Sequence, residues 1–344
     1  MLSGCYKKAD VLTVDGYPVY PGLYLYFQLQ AINEATQKFS NQYSGKELYN
    51  QTIDDVPVRD WIYNRTVEYA KEFVFIEHTF ERLELDAEMI SLEMSYYGSN
   101  IQSDWSSSSF FYLRNGVGFA TYYKVYENYL KSNQVFTALF VEEDGEEAVP
   151  EKEIIDYFNR NYTYIDYVRI FNYGDDLKTY SDEILEELRT TIEEMKSIAV
   201  DTVKEAGIVF EDPDNVGLMA AYDYYCEKYG LSEQDKEEKR SSMFSSNTVV
   251  KSDSTAFDED MIIELFASKN EVFTVYEAKD AFYLFCRRSM LDNDSEKWKD
   301  YRTSIVTELR SKVYTEYISE NSVDLPFSQN SGARKYYSID KAYT

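Results

Sequence analysis

One histidine and three cysteines in 344 residues leave little material for side-chain chemistry. Any Ser-His-Asp or Cys-His mechanism would have to use His78, which lies in VFIEHTFERLEL one helical turn before Arg82 and reads as a structural or surface residue. Cys5, Cys226 and Cys286 are too few and too irregular for a disulfide scaffold, and no CxxC pair points to zinc or redox work. A Cys226–Cys286 pair stays open, although Cys286 within a strand is more simply a small buried hydrophobe. Positive charge is also scarce. Against 62 Asp+Glu stand 35 Lys+Arg, a net charge of −27, and no basic stretch is dense enough to track a phosphate backbone, so nucleic acid is not expected as a partner. No run of 18 apolar residues occurs, which excludes a spanning helix within this sequence. No metal or other cofactor is expected: DNDSEK from Asp292 begins like a calcium loop, but Lys297 and Thr303 stand where an EF-hand needs glycine and glutamate.

Hydrophobic residues make up 44% and aromatics 17%, with 34 tyrosines, enough for real cores in one large or two ordinary domains. The start, MLSGCYKKAD, contains Leu2-Ser3-Gly4-Cys5, which resembles the lipobox of bacterial lipoprotein precursors. There small residues let a peptidase bind the extended chain, and the exposed cysteine then carries lipid. The resemblance implies lipidation at Cys5, a start near the cleavage site, and an address on the outer face of the bacterial cytoplasmic membrane. Two or more lipid chains anchor stably, at about 0.8 kcal/mol per buried CH₂. Asn50, Asn64 and Asn161 begin Asn-X-Ser/Thr triplets, which mean little in a bacterial protein.

VLTVDGYPVY reads as a hairpin around Asp15-Gly16. Leu25, Leu29, Ile32 and Phe39 then recur at helical spacing, as do apolar residues from Val58 to about Leu85 and from about Phe119 to Phe140. GSNIQSDWSSSSFF reads as an interruption of these helices. A Pro-led helix from Glu151 runs into YTYIDYVRIFNY, rich in β-branched and aromatic residues, so a new unit is expected near Asn161. Ile184, Leu188, Ile192, Met195 and Val203 mark one face of a long helix, and another helical pattern runs from about Val216 to Tyr229. FDEDMIIELFASKNEVFTVYEAKDAFYLFCRRSM reads as helix, strand, a turn at Lys279-Asp280, and strand. Tyr301, Ile305, Leu309, Val313 and Tyr317 are spaced four apart and predict a C-terminal helix, followed by a polar tail.

This order, with VDGYPVYPGLYLYF at the start, PEKEIIDYFNRNY before the first strand of the second unit and EVFTVYEAKDAFYLFCRR closing it, resembles the parvulin-type foldase lipoproteins of the PrsA and SurA group, from Val11 to about Phe327. The resemblance implies an α+β fold: a mostly helical chaperone domain over 11–160, completed by 291–327, with an inserted parvulin-like α+β domain at 161–290. Residues 1–10 would be the lipobox remnant and linker, and 328–344 the polar tail.

Active members of the group isomerise X-Pro bonds with a polar network that usually includes two strand histidines. Tyr167 and Tyr283 stand at or near those places here, and the Gly-Gly-Asp loop is absent, replaced near SSNTVVKSDS. Tyrosine does not titrate near neutrality as histidine does, so the unit is expected to lack catalysis. Tyrosine also combines apolar area with a polar tip and few rotors, which suits gripping extended peptides. Tyr24, Tyr26 and Phe27 of GLYLYF and the run Phe110-Phe111-Tyr112 are candidates for an exposed aromatic cleft. The expected function is a lipid-anchored, extracytoplasmic chaperone that binds unfolded or exported polypeptides. An isomerase with a rearranged site and a non-chaperone lipoprotein that binds a cell-envelope partner are the alternatives.

Overall fold

The computed structural model describes residues 9–174, 177–206, 215–288 and 296–342. Its contacts divide the chain into two units, 1–149 with 306–344, and 150–305. The fold is α+β.

In the first unit β1 (Leu12–Val14) and β2 (Tyr17–Val19) form the expected hairpin. Asp15 and Gly16 take φ of 45° and 80°, the left-handed pair that a two-residue turn needs to match strand twist. Then follow α1 (Pro21–Lys38), the single turn α2 (Gly45–Leu48), a hairpin of β3 (Thr52–Ile53) and β4 (Val56–Pro57), and α3 (Val58–Arg82). Beyond them lie α4 (Ala87–Tyr96), α5 (Gly98–Arg114) and α6 (Phe119–Phe136), the last running into a π-turn at Thr137–Val141. The serine-rich stretch is therefore helix rather than an interruption. Ser106 and Ser107 donate to the carbonyls of Gln102 and Ser103, four residues back, at 2.7 and 3.1 Å, so their hydroxyls do not compete with the helix ladder, and Ile101 and Trp105 bury one side.

Two apolar clusters fill this unit. Leu12, Val14, Leu23, Phe27, Phe73 and Val74 form one, and Leu29, Ile32, Leu48, Ile53 and Ile62 form the other. Helices α3 and α6 are also joined by a buried charge. Glu77 accepts from Lys131 Nζ at 2.8 Å and Asn128 Nδ2 at 2.9 Å, while Lys124 stands at 3.4 Å. Burial pushes this carboxyl up, but the two hydrogen bonds and the lysine charges outweigh it and hold Glu77 below the usual carboxylate range.

The second unit comprises α7 (Glu151–Asn161), β5 (Tyr162–Phe171), α8 (Asp182–Ala206), α9 (Val216–Lys228), α10 (Glu233–Met243), β6 (Phe244–Lys251), α11 (Glu259–Ala267), β7 (Phe273–Glu277) and β8 (Ala281–Arg288). The sheet is antiparallel throughout, in the order β6-β5-β8-β7. One face packs on α8 and α9 through Val168, Ile192, Met195, Leu218 and Leu284. Ile184, expected on the buried face of α8, is exposed. The other face packs on α11 through Ile165, Met261, Leu265 and Phe285. The unit begins before Asn161, because Phe158 of α7 stacks on Tyr162 at 5.0 Å and meets Tyr301 at 5.5 Å.

A 3₁₀ turn (Lys297–Tyr301) leads into α12 (Arg302–Ser322), whose residues from Val306 belong to the first unit. There Tyr314 packs on Phe136 and Phe140 at 5.2 and 5.8 Å and donates to the Ser132 carbonyl at 2.8 Å. Val313, expected on the buried stripe, is exposed. A helix closes 3.6 residues per turn, so a strict spacing of four winds off one face, and Tyr314 takes the inward position. Residues 328–342 are no simple tail. β9 (Phe327–Gln329) pairs antiparallel with β1, α13 (Ser331–Tyr336) buries Ala333 completely, and a 3₁₀ turn follows at Ile339–Lys341.

Candidate functional site

Two aromatic clusters, one in each unit, hold the candidate positions. In the first unit Tyr26 of α1 stacks on Tyr112 of α5 with centroids 5.8 Å apart and planes at 16°, and Tyr112 stacks on Trp105 at 6.0 Å and 13°. Phe119 and Tyr122 of α6 meet Trp105 at 5.6 and 5.5 Å. Beside this ladder Phe111 lies edge-on to Tyr112, and Phe110, 74% exposed, carries the Arg114 guanidinium over its ring at 5.2 Å. Burial and the neighbouring Tyr112 and Tyr122 push the Tyr26 phenol far up, so it stays protonated.

Of the expected cleft residues, Tyr26, Phe111 and Tyr112 come together, Phe110 stands exposed with Arg114 over its ring, and Tyr24 and Phe27 go into the core, where Phe27 touches Tyr26 edge-on at 6.1 Å. Tyr24 is 1% exposed, its phenol raised to about 12 by burial, and Phe27 packs on Phe73 at 5.6 Å. The correction follows from helix geometry: consecutive residues of GLYLYF point around the axis, so a cluster in sequence is split between core and surface. Trp105, Phe119 and Tyr122 were not anticipated. The signal was the seven-residue step from Trp105 to Tyr112, two turns along one face.

In the second unit β5 and β8 bring Tyr167 and Tyr283 to one face of the sheet, with ring centroids 5.6 Å apart. Phe257, from the segment between β6 and α11, meets each of them edge-on at 5.9 Å. Burial raises the Tyr283 phenol above its ordinary value, with Arg169 working the other way. The segment SSNTVVK, where a replaced glycine loop was expected, is strand β6 paired with β5. The sole histidine lies in the first unit, with His78 Nδ1 3.1 Å from Asp15 Oδ2.

On the opposite face of the sheet a buried carboxylate ties four elements. Asp166 pairs with Arg288, accepts from Asn215 Nδ2 at 3.0 Å, and accepts from the Asn247 backbone N–H at 2.7 Å. Both asparagines have positive φ, 44° and 52°, a conformation asparagine tolerates better than most residues. Cys286 lies beside it, and burial with the Asp166 charge raises its thiol to about 12, which makes it a poor nucleophile. Cys226 and Cys286 are both free and buried. Among the described residues no cluster of His, Cys, Asp and Glu could hold a metal ion, and no helix is long and apolar enough to cross a membrane. Cys5 and the Asp292 loop lie outside the described residues.

No family model matches the chain, and a search of curated proteins finds no match. Among solved structures the chain is similar to the foldase protein PrsA from Streptococcus pneumoniae, at 15% identity and TM-score 0.37, covering 85% of this chain and 98% of that one. It is similar also to PrsA from Lactococcus lactis, at 10% identity and TM-score 0.35, covering 97% and 99%. A chain from work on PEB4 and Cj1289, two SurA-like chaperones of Campylobacter jejuni, matches at 8% identity and TM-score 0.27, covering 94% and 99%.

Proposed function

We propose that this chain is a chaperone of the PrsA/SurA kind that holds unfolded, exported polypeptides, that it works outside the cytoplasm tethered by lipid on Cys5, and that its parvulin-like unit does not catalyse. The observation that carries the holding role is the ladder of Tyr26, Tyr112 and Trp105, with Phe110 and Phe111 exposed beside it. Ring faces bind apolar and aromatic side chains with few rotors to freeze and no demand for a particular hydrogen-bond pattern, so they accept many sequences. Against catalysis stands the packing of Tyr167, Phe257 and Tyr283 on one another. An isomerase must lower a barrier of about 18–20 kcal/mol with a polar network at the bound prolyl peptide, and here three rings meeting edge-on stand in its place.

Two assays test the reading together. Added to an unfolding test protein, the chain should suppress aggregation. In a prolyl-peptide assay it should leave interconversion at the uncatalysed pace of roughly tens to hundreds of seconds. Catalysis lost on Tyr167→Phe or Tyr283→Phe would replace this proposal with the rearranged isomerase, and failure in both assays would favour the envelope-binding alternative. For the tether, a Cys5→Ala precursor should lose both fatty-acid labelling and membrane partition; unchanged partition would sink the lipid anchor.

A further inference from the structure

Helix α4 is apolar on two sides. Ile90 and Met94, four apart, are buried, as a helix packed on one face requires. Met89, Leu92 and Tyr96, spaced three and four, form a second stripe that is 46%, 63% and 80% exposed. Beside this stripe α4 and α6 border an open groove of about 570 Å³, its apolar lining Leu92, Tyr96, Tyr97 and Leu130 and its polar lining Glu93, Asn133, Gln134 and Thr137, where Gln134 donates to Glu93 at 3.4 Å. An exposed apolar stripe at helical spacing beside a groove of part apolar, part polar lining has the form of a helix-in-groove site for an amphipathic helix.

Charge selects the occupant. The two walls, α4 and α6, carry Glu88, Glu93 and Glu127 against Lys124 and Lys131, and both lysines are already paired with Glu77 and Glu127, which leaves Glu88 and Glu93 as the carboxylates of α4 beside the stripe. The whole chain carries −27, which works against a second copy of itself and against an anionic lipid surface. We infer that this groove takes a cationic amphipathic helical segment of a partner protein, its apolar stripe seated on Leu92 and Tyr96 and its lysines or arginines reaching Glu93 and Glu88. The site shares no lining residue with the Tyr26–Tyr112–Trp105 ladder and selects by pattern, so it goes beyond the holding of unfolded chains.

The experiment uses the full chain and labelled synthetic peptides of about 18 residues, long enough to form a helix on binding. One peptide has leucine and lysine at helical spacing, the second has the same composition in scrambled order, and the third replaces lysine by glutamate. The first should bind, and the other two should bind at least about tenfold more weakly. Leu92→Ser with Tyr96→Ser should weaken the first peptide about tenfold without changing the circular dichroism spectrum, both side chains being exposed. Glu93→Gln should weaken it about threefold and flatten its salt dependence. Ile263→Ser, a comparably exposed apolar residue on α11 of the second unit, should leave it unchanged. Equal binding of the scrambled or acidic peptide, or binding indifferent to Leu92 and Tyr96, would overturn the proposal. Self-association abolished by the double variant would assign the stripe to a second copy instead, and variant-sensitive binding to anionic phospholipid vesicles would assign it to a membrane. Aggregation suppression measured in parallel keeps this site separate from the holding surface, because the Leu92/Tyr96 variant should retain it.

Discussion

In the second unit Tyr167, Phe257 and Tyr283 meet edge-on within 5.9 Å, and Tyr283 is only 4% exposed. In the first unit the Tyr26–Tyr112–Trp105 ladder is anchored at Trp105, while Phe110, Phe111 and Phe119 remain exposed around it. The residue types are nearly the same, and the difference lies in what closes over them. A sheet with α11 laid on one face and α8 and α9 on the other leaves its rings few directions to point. Helix α5 buries only Ile101 and Trp105, and Phe110 and Phe111 face water. Fully burying one such side chain is worth about 1.5–3 kcal/mol, and the first unit leaves that gain unspent on α5, which is the thermodynamic position of a surface that binds.

The comparison predicts that damage to the second unit's buried network costs folding, whereas removing the exposed rings costs function. The largest effect should follow Asp166→Ala, which removes the buried carboxylate that Arg288, Asn215 and the Asn247 backbone share and should cost about 3–5 kcal/mol in denaturant unfolding. A loss under about 1 kcal/mol would show that the network is dispensable and weaken the contrast. In the first unit Glu77→Gln should cost about 2 kcal/mol at neutral pH. The sign follows from linkage. Glu77 is held below its unfolded value, so its contribution is present above the unfolded carboxylate value and is lost as pH falls through the folded one. The native chain should therefore lose stability below about pH 4, and Glu77→Gln should lose less over the same window. Identical acid unfolding of the two proteins would remove Glu77 from the account. The smallest change in stability, within about 0.5 kcal/mol, should come from Phe110→Ser with Phe111→Ser, yet that variant should lose most of the suppression of aggregation. Full activity with both rings gone would break the comparison at its functional end.

Much of this architecture was legible in local pattern. Asp15-Gly16 sets a turn through two residues that accept positive φ, and the apolar spacing of Val58 to Arg82 and of Asp182 to Ala206 marks helices wherever those segments pack. Tyr167 and Tyr283 were marked out only by the resemblance, and it is the antiparallel pairing of β5 with β8 that brings them to one sheet face. Local pattern failed where a neighbour decided the outcome. The serine run became helix because Trp105 found Tyr122 and Phe119, and residues 327–329 became a strand because β1 offered an unpaired edge. Phe27 went inside and Phe110 outside although both are phenylalanines on helices. Composition and charge were settled by the sequence alone: an acidic, aromatic chain with one histidine and few cysteines, folded from amphipathic helices and short strands. Which rings became core and which surface was settled only in three dimensions, because side-chain burial depends on what packs against each face, and that partner comes from residues far away in the chain.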